Sequence, residues 1–337
     1  MPDRVALYLQ DDFSLQESID YVKYAEARGF EAVWQAESRF VRDSVVAVAA
    51  YAALTTRIKI GMGVVNIYTR HALTIASELL TLDDLAPDRI MGGLGTWYDD
   101  IAQQAGIDRG KYLLAMREVL TAVRHLLTLQ PVTYRGQFVQ INDAQLDVTV
   151  GRTEPRRVPL YIGASSFNLL ALAGEIADGV LLNYMTSPQY NLLAIRQLEN
   201  GLNQAGRTIY DIDRPQLVMC SVHPERKVAL DAARRVVTQF IMQQPHLMRA
   251  NDIPQQLIDE ITQLHPATLQ QIEQAAKLIP DDVVQLVTAS GTPEDVRAKV
   301  RDYVRAGATC PVLYPLNRNV RGLIDAFASG YSRAPLL

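Results

Sequence analysis

VALYLQDDFSLQESIDYVKYAEARGFEAVWQ, residues 5–35, changes its hydrophobic period twice within one stretch. Val5 to Leu9 is short and apolar, as a buried strand is. Leu15 to Arg28 carries apolar residues at helical spacing and is stopped by Gly29. Ala32 to Gln35 returns to a short β-like run. Strand, helix and strand in this order make a βαβ unit, and so a parallel sheet. The pattern continues outward, with a helix over Ser44 to Leu54, a third strand over Ile58 to Val65, a helix over His71 to Leu85 and a fourth strand over Arg89 to Leu94. Pro87-Asp88 marks the turn before that fourth strand. Further strands are predicted over Leu160 to Gly163, Gly179 to Asn183, Gln216 to Val222 and Pro311 to Tyr314. Leu169, Leu172, Ala173 and Ile176 form the stripe of the helix between the fifth and sixth. Thr292-Pro293-Glu294-Asp295 opens the last long helix with an N-cap, a proline at its first position and acidic residues in its first turn.

Eight such units predict one (β/α)8 TIM barrel over residues 1–337, a length that barrels commonly occupy. Two segments do not fit the alternation. Val132 to Ile141 reads as a β-hairpin about Arg135-Gly136, within an excursion over 130–157. Residues 245–285, with Leu257, Ile261 and Leu264 at helical spacing and Pro254, Pro266 and Pro280 as breaks, read as a helical insertion before the last strand.

Composition narrows the partners. Lys and Arg number 33 against 37 Asp and Glu, a net charge of -4 that offers no basic footprint for nucleic acid. The hydrophobic share of 48% is that of a globular protein. No apolar span long enough for a bilayer and no signal-peptide core stands at the start, so a cytoplasmic protein is expected. Cys220 and Cys310 are too few for a disulfide framework. His71, His125, His223, His246 and His265 show no metal-ligand spacing, and no metal is expected.

Parallel barrels hold ligands at the carboxyl ends of their strands, which makes those ends the candidate site. Gly163-Ala164-Ser165-Ser166 could let backbone and a helix N-terminus approach a phosphate, or Ser165 or Ser166 could simply cap that helix. Gly61 and Gly63, with Asn66 beyond, could let a flat ring lie against the backbone, or mark a bulge. Trp97 and Tyr98, after Gly95-Thr96, could wall an aromatic cofactor or pack the rim. Glu37 could orient a donor or pass a proton, or pair with Arg39 or Arg42.

Taken together, Gly29-Phe30-Glu31-Ala32-Val33-Trp34, Lys59 through Arg70, Ala173-Gly174-Glu175-Ile176-Ala177-Asp178-Gly179 and Gly291-Thr292-Pro293-Glu294-Asp295-Val296 resemble the luciferase-like oxidoreductases. The resemblance spans nearly the whole chain and is greatest to the branch containing methylenetetrahydromethanopterin reductase, which uses the deazaflavin coenzyme F420. It implies a bacterial-luciferase-like barrel, a small-molecule substrate, a homodimer and hydride transfer through F420, with FMN the alternative cofactor of related monooxygenases. A barrel that binds a cofactor without turnover is a further alternative. The resemblance also implies a non-prolyl cis peptide at Gly63-Val64 behind the ring and a cofactor phosphate on Gly163, Ala164, Ser165 and Ser166. Asn66, Gly95, Thr96, Trp97 and Asn183 would border the cofactor. Glu37 matches an acidic family position, while the histidine usual at the next position is Ser38 here.

Overall fold

A computed structural model describes residues 4–38, 40–164 and 166–328. Its strands are β1 (Ala6–Leu9), β2 (Ala32–Gln35), β3 (Lys59–Met62), β4 (Val65–Asn66), β5 (Ile90–Gly95), β6 (Val132–Arg135), β7 (Gln140–Ala144), β8 (Leu160–Ala164), β9 (Gly179–Leu182), β10 (Pro215–Val222), β11 (Ala289–Gly291) and β12 (Cys310–Pro315). All but β6 and β7 belong to one sheet, ordered β11-β10-β12-β1-β2-β3-β5-β8-β9, with β4 beside β5. This is the parallel α/β arrangement of a (β/α)8 barrel.

The first compact unit comprises residues 8–182 and 196–214. Its register is set by buried residues: Val33 lies opposite Ile60, Ile60 opposite Ile90, and Leu94 opposite Ile162. Helix Leu15–Ala27 begins at a capping box in which Ser14 accepts from the Glu17 amide and Glu17 accepts from the Ser14 amide. Gly29, at φ 83°, takes the left-handed turn that follows. Gly201, in helix Pro188–Gln204, could not bear a side chain, since a Cβ there would lie 1.8 Å from the Ala171 carbonyl oxygen.

β6 and β7 form the expected antiparallel hairpin, extended to Ala144, with its turn over 136–139. The turn is held from below by Glu118 of helix Tyr112–Leu126. Its carboxylate accepts the backbone N–H groups of Gln137 at 2.8 Å, Phe138 at 2.7 Å and Val139 at 2.9 Å. Burial alone would raise the Glu118 pKa, but these three donors hold it below the usual carboxylate range. A depressed folded pKa means stability present above the unfolded value of about 4.3 and lost as pH falls through the folded value. Glu118→Gln should therefore lower Tm by a constant amount from pH 8 to 5. The gap to the wild type should shrink below about pH 4. A gap independent of pH down to 3 in thermal melts would show that the charge contributes nothing.

The second unit comprises, among the described residues, 4–7, 183–195 and 215–328. In it β12 lies between β1 and β10, with Leu7 opposite Leu313 and Leu217 opposite Val312. Segment 245–285 is built from helices Pro245–Ala250, Gln255–Thr262, Leu269–Ala276 and Asp281–Val287, the last running to 287. The helix that precedes β12 is capped as its sequence predicts, Thr292 and Asp295 exchanging side-chain and backbone bonds. Two short strands, β4 and β11, escape a reading by periodicity because two or three residues carry no period. Among the described residues no helix is long and apolar enough to cross a membrane, and no cluster of His, Cys, Asp and Glu is arranged to hold a metal.

Candidate active site

Within the first unit, the carboxyl ends of β3, β5 and β8 meet around one side chain, Val64. The peptide Gly63-Val64 is cis, as the resemblance implies. The Gly63 amide donates to the Gln35 carbonyl at 2.7 Å, and the buried Tyr8 hydroxyl donates to the Gly63 carbonyl at 2.8 Å. Gln35 is itself fixed, its Oε1 accepting from the Tyr51 hydroxyl at 2.6 Å. Both backbone groups of Gly63 are thus held by partners from β1 and β2.

The glycines around this bulge make room for protein side chains. A Cβ on Gly95 would lie 2.4 Å from Val64 Cγ2, and one on Gly163 would lie 2.9 Å from Val64 Cγ1. A Cβ on Gly93 would meet the Met62 carbonyl oxygen at 2.0 Å, and one on Gly61 would enter the Trp34 ring. Two readings were open for Gly61 and Gly63, a seat for a flat ring or a bulge. Gly61 accommodates Trp34, while Gly95 and Gly163 seat Val64. Val64 remains only half-buried, so an apolar face above the glycines is open. That face suits a flat conjugated ring, which needs a surface without competing hydrogen-bond groups.

Glu37, after β2, is tied at both oxygens. Its Oε2 accepts from the Asn66 amide at 2.9 Å and from Asn66 Nδ2 at 2.8 Å, and its Oε1 pairs with Arg70 Nη1 at 2.5 Å. Among the described residues its cationic partner is Arg70; Arg42 donates to the Phe13 carbonyl, and Arg39 lies outside them. Arg70 also pairs with Asp43 at 2.7 Å and Glu78 at 3.3 Å. Burial would lower the Arg70 pKa, but its hydrogen bond to Glu37 and the three carboxylates outweigh this and raise it. Burial raises the Glu78 pKa. Asn66 Oδ1 in turn accepts from the Tyr68 and Thr69 amides, so the chain beyond β4 is folded back on Asn66. Ser38 donates to Asp11 Oδ1 at 2.9 Å.

At the end of β5, Thr96 is buried and Trp97 is half-buried. Both carbonyls accept from Arg109, which is held by Asp99 at 2.6 Å. At the end of β8, Ala164 is buried, and beyond it Ser166 caps helix Phe167–Ile176, accepting from the Leu169 amide at 3.3 Å. Ser165 lies outside the described residues. Asn183 belongs to the second unit, where its Oδ1 accepts from the Tyr184 amide and its carbonyl accepts from Gln216 Nε2 at 2.6 Å.

The structure thus brings Gly63, Val64, Gly95 and Gly163 into contact, and joins Glu37 to Asn66. Tyr8 was not singled out from sequence. Tyr8 sits in an all-buried strand where nothing distinguishes it from core until its hydroxyl finds the Gly63 carbonyl, 55 positions on. Tyr8→Phe should cost about 1–3 kcal/mol in urea unfolding, the usual penalty for a buried acceptor left without its donor. A cost under about 0.3 kcal/mol would mean that water replaces the hydroxyl.

The sequence model of the luciferase-like monooxygenases matches residues 2–310. The chain belongs to that family. Among relatives, the 5,10-methylenetetrahydromethanopterin reductase of Methanopyrus kandleri is 29% identical over 315 residues, covering 86% of this chain and 85% of the reductase. An F420-dependent glucose-6-phosphate dehydrogenase of Microbacterium testaceum is 29% identical over 237 residues, 66% of this chain and 69% of the dehydrogenase. Among solved structures, the coenzyme F420-dependent tetrahydromethanopterin reductase of Methanopyrus kandleri superposes with a TM-score of 0.84 at 25% identity, covering 96% of each chain. A monooxygenase of Streptomyces bottropensis, at 18% identity and TM-score 0.67, shares the fold.

Proposed function

We propose that this luciferase-like family member is an F420-dependent oxidoreductase that passes hydride between the deazaflavin and a small organic substrate at the carboxyl ends of its strands. The half-open Val64 face, raised on glycines from β5 and β8, carries this reading, and the F420-dependent relatives support the choice of cofactor. The deazaflavin supplies a two-electron hydride carrier and lacks the ring nitrogen through which flavins activate oxygen.

The chain's own contribution is orientation. Gly63 and Val64 back the ring, with Tyr8 and Gln35 holding both polar groups of Gly63 so that neither competes for the ligand. Gly163, Ala164, Ser165 and Ser166 hold the phosphate at the start of helix Phe167–Ile176, since the first amides of a helix lack partners within it and favour an anion. Within the first unit, Thr96 and Trp97 border the ring. Glu37 acts as a positioning residue through Asn66, since both of its oxygens already have partners. With hydride passing directly between carrier and substrate, the residues need only align the two and exclude water.

Titration of the purified protein with F420 and with FMN, followed by ring fluorescence, tests the proposal. F420 should bind at least tenfold more tightly, about 1.4 kcal/mol. Tighter FMN binding with substrate-dependent oxygen uptake would make it a flavin monooxygenase. Binding of neither would leave a barrel without this cofactor.

A further inference from the structure

Two large aromatic residues in the loops that follow β2 and β5 adopt left-handed backbone conformations, Phe40 at φ 59° and Trp97 at φ 51°. Bulky side chains rarely adopt that region, and when they do the cost is commonly borne at a functional site. Core packing does not repay it here. Phe40 is 59% exposed and its neighbour Val41 is 67% exposed. The two rings meet edge to face, with centroids 5.6 Å apart and planes at 86°. Arg109 grips the Trp97 carbonyl, so one jaw of the pair is anchored, and Gly95, two residues earlier, touches Val64.

The neighbouring charges point to what such a pair would hold. Arg42 donates to the Phe13 carbonyl, Arg70 is surrounded by three carboxylates, and Arg109 is engaged by Asp99 and two carbonyls. Carboxylates neutralise Arg70 and Arg109, and Arg42 has an N–H engaged by a carbonyl, which makes this a weak seat for a phosphate or carboxylate on a substrate. The exposed Phe40 ring beside neutralised cations favours a ligand that gains from desolvation and ring contact.

We infer that Phe40 and Trp97 form a substrate clamp, and that it selects a neutral, planar, largely apolar molecule over a phosphorylated sugar. The inference rests on the proposed hydride-transfer site for its location. It depends on the clamp geometry for the substrate class.

2-Naphthol serves as the probe, its binding to the F420-loaded protein measured by equilibrium dialysis, with F420 affinity measured in parallel. One-to-one saturable binding is expected, weakened at least fivefold in Phe40→Ala, restored in Phe40→Tyr and unaffected by millimolar glucose 6-phosphate. F420 affinity should stay within twofold in both variants. Absence of saturable binding, equal binding in Phe40→Ala, or displacement by glucose 6-phosphate would overturn the clamp. If the protein fails to take up F420 yet binds 2-naphthol through Phe40, the cofactor assignment falls and the clamp stands. Phe40 is exposed, so its replacement does not endanger folding, and thermal melts of both variants verify this.

Discussion

Gly95→Ala should weaken F420 binding at least tenfold while leaving a folded protein. The added methyl would lie 2.4 Å from Val64 Cγ2, well inside contact distance. Val64 is half-buried and can retreat only toward its open side, the face assigned to the ring. Overpacking of this kind costs about 1–3 kcal/mol. The displaced side chain would occupy ligand space, so the loss should appear chiefly in Kd. Gly93→Ala is the instructive contrast, because its Cβ would strike the Met62 carbonyl oxygen at 2.0 Å, and backbone cannot retreat. That variant should lose Tm first and binding only as a consequence. Adding Val64→Ala to Gly95→Ala restores the volume and should recover much of the affinity. A folded Gly95→Ala protein with an unchanged Kd in fluorescence titration would remove Val64 from the site.

The βαβ alternation was legible because each element announces itself locally. Ser14 and Glu17 cap one helix, Thr292 and Asp295 another, and Gly29 ends the first, all within a few residues of what they control. The purpose of the glycines was not legible in this way. Nothing near Gly163 in sequence says that the space beside it belongs to Val64, about a hundred positions earlier on another strand. Glycine in a strand signals that something approaches closely without saying what. The approaching group at Gly61 is Trp34, and at Gly95 it is Val64.

The ion pair at Glu37 shows the same limit. Arg42 donates to the Phe13 carbonyl and Arg39 lies outside the described residues; among those described it is Arg70, 33 positions on, that the bulge brings to Glu37. For the loop after β8, two readings were open from sequence. Ser166 caps its helix as a structural residue would and Gly163 gives its side-chain space to Val64, so the phosphate role rests on the proposed function.

Removing the cation that organises this region should have the largest effect on stability. Arg70 meets Glu37 at 2.5 Å, Asp43 at 2.7 Å and Glu78 at 3.3 Å, with side-chain exposures of 12% for Arg70, 14% for Glu37, 47% for Asp43 and 21% for Glu78. Glu78 also keeps one buried oxygen, Oε2, without a hydrogen-bond partner among the described residues. Arg70→Met would fill the volume but leave three carboxylates facing one another. Breaking a fully buried pair costs about 3–5 kcal/mol; partial exposure, most of all at Asp43, reduces the expected loss to about 2–4 kcal/mol at pH 7.5. The sign of its pH dependence follows from the charges left behind. Without the guanidinium, burial and mutual repulsion raise the folded pKa values of these carboxylates above their unfolded ones, so the variant's native state binds more protons than its unfolded state. Its stability relative to wild type should therefore recover as pH falls from 7.5 toward 5, through the raised values. Arg70→Lys should recover only part of the loss, because a single ammonium cannot reproduce the three-way fork. Urea unfolding of wild type and both variants at pH 7.5 and pH 5 measures this directly. A deficit that is the same at both pH values would mean that Arg70 acts by packing, and Glu37 would then need another reason to hold Asn66.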